Sequence, residues 1–104
     1  MNAVIDKLPA LVEEELAAAN AKHPPFHSAH EGYAVILEEI EETAKELANA
    51  ENMIRHLWSA IRHDDSIMIK KATDVLKGYA VQAAAEAIQV AAMAEKMLDF
   101  FKCE

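Results

Sequence analysis

From Phe26 to the last residue the chain contains no proline and only two glycines, Gly32 and Gly78. A stretch of roughly 80 residues with so few breakers has little open to it except long helices. Alanine, glutamate, leucine and isoleucine dominate, and aromatics make up only 6%, a mix that suits helices and supplies a sheet with few turn residues or β-formers. The expected fold class is all-α. At 104 residues and 53% hydrophobic content the chain fills one core, so residues 1–104 read as a single domain.

Punctuation divides this domain into three helices. Asp6 is placed to cap the first, with Pro9 tolerated in its opening turn, over about residues 6–22. His23-Pro24-Pro25 ends it, because prolines withhold backbone donors and push the preceding residue out of helical dihedrals. Ser28 followed by Glu31 has the capping-box spacing and opens a second helix over about 28–63. Asp64, Asp65 or Ser66 can cap the third, over about 66–102, whose one weak spot is Gly78.

Both long helices carry a heptad-like seam. On the second it reads Ile36, Ile40, Thr43, Leu47, Ala50, Ile54, Leu57 and Ile61. On the third it reads Ile69, Thr73, Leu76, Ala80, Ala83, Ala87, Val90, Ala94, Met97 and Phe101. The short turn between them predicts an antiparallel helical hairpin, with the first helix packed across it. Tyr33, Leu37, Met53, Trp58, Met68, Val75, Tyr79, Met93 and Phe100 lie off the seams. One short helix cannot cover so much apolar surface, which predicts a homodimer with a core of four long helices. The alternative is a monomer partly covered by its first helix.

Ten basic against 18 acidic residues give a formal charge of -8, which repels a phosphate backbone and an anionic membrane and argues against a nucleic-acid polymer as partner. A single nucleotide stays open, since a divalent cation can be shared between acidic residues and a triphosphate. The lone cysteine, Cys103, rules out an internal disulfide or a cysteine-based zinc site and suits a reducing cytoplasm. No apolar run approaches the roughly 18 residues of a membrane span, and no basic segment followed by an apolar one opens the chain. The reading is of a cytoplasmic protein.

Carboxylates crowd the second helix as Glu38, Glu39, Glu41, Glu42 and Glu46. Such a run is ordinarily a solvated face, and Lys45 can pair with Glu41 one turn away. Glu39 and Glu42, however, fall on the flank shared with Val35, Glu46 and Met53, where carboxylates in an apolar row need compensation. On the third helix Glu86 and Gln89 fall in a similar row with Ala72, Tyr79 and Met93. Counting from the turn, Glu39/Glu42 lie about 24 positions before its centre and Glu86/Gln89 about 23 after, so an antiparallel hairpin brings them to one level. Three carboxylates and an amide gathered there suit Mg²⁺ or Mn²⁺, hard cations that take oxygen donors.

The spacing Glu38-Glu39-x-x-Glu42 followed by Glu86-x-x-Gln89 resembles the EExxE and ExxD motifs of the MazG-like, all-alpha nucleoside triphosphate pyrophosphohydrolases. The strings His30 to Glu39 and Glu86 to Ala94 look like small phage and prophage proteins related to that group. The likeness covers roughly residues 26 to 103. It implies that Glu39, Glu42 and Glu86 are metal ligands, with Gln89 where the motif has aspartate, and that Glu38 is an auxiliary acid or base. The implied reaction is hydrolysis of a nucleoside triphosphate between its α- and β-phosphates, giving a monophosphate and pyrophosphate. Gln89 offers a neutral oxygen in place of an anion, which implies weaker metal binding and a site that is either active or impaired. On the same reading His30, Tyr33 and Lys96 lie beyond the acidic level, within reach of base or phosphate.

His23, His27 and His30 with Glu31 read more simply as a polar entry loop than as a metal site. Arg55, Arg62, Lys70, Lys71 and Lys77 read as solvated surface. No phosphate-binding glycine loop or Ser-His-Asp signature occurs. The alternative from a different functional class is a non-catalytic helical interaction module of phage or prophage origin.

Overall fold

A computed structural model describes residues 3–102 of the chain; Cys103 lies outside them. A short 3₁₀ turn, Ile5–Lys7, leads into α1 (Leu8–Lys22), followed by α2 (Ala29–Arg62) and α3 (Ser66–Lys102). Among the described residues there is no strand, and no helix is long and apolar enough to cross a membrane.

The helix ends are set by local chemistry. Asp6 does not cap α1. Lys7 N–H donates to Val4 O at 2.9 Å, closing the 3₁₀ turn that contains Asp6. Lys7 then takes the N-cap position without a side-chain hydrogen bond, and Pro9 stands in the first turn. That turn costs Asp6 its capping place, since the helix begins two residues later. At the other end His23 is extended (φ -132, ψ 145), as the following proline requires.

Ser28 does cap α2: its Oγ accepts from Glu31 N–H at 3.1 Å. The Glu31 carboxylate turns to His27 Nδ1 at 3.2 Å. Asp64 ends α2 in the left-handed region (φ 53). Its N–H donates to Ile61 O and that of Asp65 to Ala60 O, both at 3.0 Å. These two bonds are the Schellman pattern, which satisfies the last carbonyls of the helix. Asp65 Oδ1 then accepts from Met68 N–H at 3.1 Å and caps α3, so three polar residues reverse the chain.

The residues group into two compact units. The first comprises residues up to Ile40 together with Glu86 onward, that is, α1, the start of α2 and the end of α3. Leu16, Phe26 and Ala92 are its buried apolar residues. Gly32 is buried as well, and a Cβ there would stand 2.5 Å from Met97 Cε and 3.1 Å from Phe26 Cδ2, so the absent side chain is what lets these groups close over α2. The second unit, Glu41–Ala85, holds the rest of the hairpin, with Ala60, Ala72 and Ala83 buried.

In both units the inward stripe differs from the expected one. Ile36, Thr43, Ala50 and Leu57 are half-buried, but Ile40, Leu47, Ile54 and Ile61 are exposed. Their inward places go to Glu39, Glu46, Met53 and Ala60. On α3, Ile69, Leu76, Ala83, Val90 and Met97 turn in as expected, whereas Thr73, Ala80, Ala87, Ala94 and Phe101 face out in favour of Ala72, Tyr79, Glu86, Met93 and Phe100. The two stripes share every second member and differ by one residue at the others, a rotation of the inward face by roughly 50°. The inward one contains the buried alanines Ala60, Ala72 and Ala83, small enough for two backbones to approach closely.

Candidate functional site

Glu39 from α2 and Glu86 from α3 both belong to the first unit, and each offers a carboxylate oxygen within 4.8 Å of the other. Both residues are half-buried. They occupy inward heptad positions, so the helices themselves hold the two carboxylates together. Glu86 Oε2 is buried and accepts no hydrogen bond among the described residues. A buried carboxylate oxygen without a donor is costly, and the pair could hold a cation.

Glu42 lies one turn further along α2 and is exposed, although the sequence placed it on a half-buried flank. It lies about 60° further round the helix than Glu39, on the side away from Thr43 and the inward stripe. Glu38 is exposed and lines neither of the clefts described below.

Gln89 is half-buried, and its Nε2 donates to Glu15 Oε1 of α1 at 3.1 Å. Glu15 was not singled out by sequence reasoning, because only the docking of α1 brings it to this level. It carries a negative charge beside the residue that stands where an aspartate was expected.

Next to this pair a cleft of about 570 Å³ opens within the first unit. That volume suits a small organic ligand, whose pockets span about 300–1,000 Å³. Glu15, Glu39 and Gln89 line one part, while Lys22, His23, His27, Phe26, Met93 and Lys96 line the rest. Glu39 therefore belongs both to the carboxylate pair and to the cleft wall. Lys96 is only 6% exposed, and its ammonium lies 4.9 Å from the centroid of the Phe26 ring, a cation–π distance. A second cleft of about 600 Å³, lined also by Asn20, Pro25, Asp99 and Phe100, shares His23, Phe26 and Lys96 with the first.

No family model, curated protein or solved structure matches the chain. Its site is therefore read from its own geometry. Of the three residues expected to touch substrate, Lys96 lines the cleft, whereas His30 and Tyr33 are exposed on α2 and line neither concavity. Sequence reasoning missed Lys22 and the aromatic wall at Phe26. Lys22 and Phe26 flank the Pro24-Pro25 break, a connection whose path depends on how α1 lies against the hairpin.

Proposed function

We propose that this protein is a divalent-metal-dependent nucleotide pyrophosphohydrolase-like protein, acting on a nucleoside triphosphate to give a monophosphate and pyrophosphate. One observation carries the reading: Glu39 meets Glu86 and also faces a cleft whose wall holds the buried cation Lys96. A metal–phosphate ligand needs this combination, acid for its metal and a positive charge for its remaining anionic oxygens. The EExxE-like spacing supports the same choice.

Glu39 and Glu86 would hold the cation. Gln89 has its amide nitrogen engaged by Glu15, which leaves its carbonyl oxygen for a ligand role. Glu15 also returns to this corner the negative charge that glutamine lacks. When bound, Mg²⁺ or Mn²⁺ would neutralise phosphate charge and polarise the phosphoryl group. Lys96 orients the anionic end of the substrate, and the apolar face of Phe26 offers a surface for a base or ribose. Glu38, exposed at the start of the acidic run, is the auxiliary acid or base on this reading. The compartment that fits a lone cysteine is the cytoplasm.

The test compares wild type with Glu86→Gln. Mn²⁺ raises the melting temperature of the wild type and supports pyrophosphate release from at least one member of a nucleotide panel. Glu86→Gln abolishes both responses, while melting at least as high as wild type in the absence of metal, because it removes a buried charge. A wild type indifferent to Mn²⁺ and Mg²⁺, and silent across the panel, would overturn the assignment. The second reading, a helical interaction module, is favoured by one feature of α2, its exposed apolar stripe.

A further inference from the structure

Lys96 brings an uncompensated charge to the second cleft. Only 6% of the residue is exposed, and among the described residues its ammonium has the Phe26 ring, 4.9 Å to the centroid, as its sole partner. Asp99, the one acid on the wall of this cleft, lies three residues along α3 but turns to Lys102, 3.6 Å away. A buried cation without an acid is costly to a fold, and a bound anion would offset that cost.

The rest of the wall decides what kind of anion fits. Phe26 is buried and Phe100 half-buried, and with Pro25 they make the apolar surface of the cleft. Phe100 stands one turn beyond Lys96 on α3, so ring and lysine share a face of the helix. Phe101 braces the Phe100 ring edge-on, with 5.2 Å between centroids. Pro25 has no N–H, so the backbone there offers a ligand no donor. Lys22 and His27 line the first cleft and not this one. Lys96 is left with His23 and the Asn20 amide as the groups that can meet an anion. One buried cation beside aromatic walls suits a single negative charge on a flat apolar body, whereas a phosphate takes several charged donors.

We propose that the second cleft binds a small aryl carboxylic acid, its carboxylate paired with the Lys96 ammonium and its aromatic body resting on Phe26, Pro25 and Phe100. The volume of about 600 Å³ lies within the range of small-molecule pockets. Neither Glu39 nor Glu86 lines this cleft, so the acid binds without a metal. The site therefore stands or falls apart from the nucleotide reading.

Titration calorimetry on the metal-free full chain tests this with three probes: β-naphthoate, its uncharged analogue β-naphthylmethanol, and acetate. Naphthoate binds once per chain with a Kd below about 1 mM, and the alcohol and acetate each bind roughly tenfold more weakly or worse. Lys96→Met removes the preference for acid over alcohol while keeping the affinity for the alcohol within about twofold. Phe100→Ala retains its helicity by circular dichroism and weakens naphthoate by about tenfold or more. Met93→Ala, a change in the first cleft alone, leaves naphthoate binding as it was. Absence of saturable naphthoate binding overturns the proposal, and so does equal affinity for acid and alcohol in the wild type. Naphthoate binding that responds to Met93→Ala but not to Phe100→Ala also overturns it, since the acid then sits in the first cleft.

Discussion

Lys96 places its ammonium over the ring of Phe26, 4.9 Å from the centroid, on the wall of a cleft that also contains Glu39. A lysine this deeply buried is costly to a fold unless its charge is used. If the charge serves a bound phosphate, Lys96→Met leaves metal-free stability unchanged or raised and weakens nucleotide binding at least tenfold, a loss of about 1.4 kcal/mol. Isothermal titration with a nucleotide in the presence of Mn²⁺ measures the second quantity. An unchanged affinity would remove Lys96 from the site.

The hydrogen bond from Gln89 to Glu15 makes a second variant informative. Restoring the aspartate of the motif, Gln89→Asp, replaces a donor by an acceptor that faces the Glu15 carboxylate. We expect the metal-free protein to lose about 1–3 kcal/mol, the cost of leaving a partly buried polar group unsatisfied. Mn²⁺ should then stabilise the variant more than it stabilises wild type, because an anionic ligand has been added. Adding Glu15→Gln relieves the metal-free loss. Urea titrations with and without Mn²⁺ read all three effects, and a variant that responds to the metal no more than wild type refutes the ligand role of position 89.

The two glycines are expected to respond in opposite directions. Gly78 is exposed on α3, and a Cβ there meets nothing within 4 Å, so Gly78→Ala should stabilise by roughly 0.5–1 kcal/mol through backbone entropy. Gly32 is hemmed in by Met97 and Phe26. Met97 can swing its flexible end away from one methyl group, but a β-branched side chain also presses on the ring. Gly32→Val should therefore cost about 1–3 kcal/mol and shift Phe26 away from Lys96, lowering ligand affinity as well. Melting curves check the signs, since 1 kcal/mol moves the midpoint of a domain this size by about 4–8 °C.

Helix type, helix number and the reversal at Asp64 were legible in the sequence because their causes are local. Prolines, capping side chains and a left-handed aspartate act on neighbouring backbone, and the helix ends fall within two residues of the expected positions. The level match of Glu39 with Glu86 was legible too, since rise per residue is the same along both arms of a hairpin.

Which face of each long helix turns inward was not legible. On α2 the outward stripe, with Ile40, Leu47, Ile54 and Ile61, is the more apolar of the two, so apolarity alone points to the wrong face. The inward faces instead carry buried Ala60 and Ala72, whose small size lets two backbones approach closely, a property of the pair together. The cleft was hidden for a related reason: Glu15, Lys22 and Phe26 join Glu39 and Lys96 only through the docking of α1. The sequence by itself determined a helical hairpin with its acids at one height. Tertiary structure alone decided which acids face inward and which residues share a cleft with them, because rotation about a helix axis is settled by what packs on the other side.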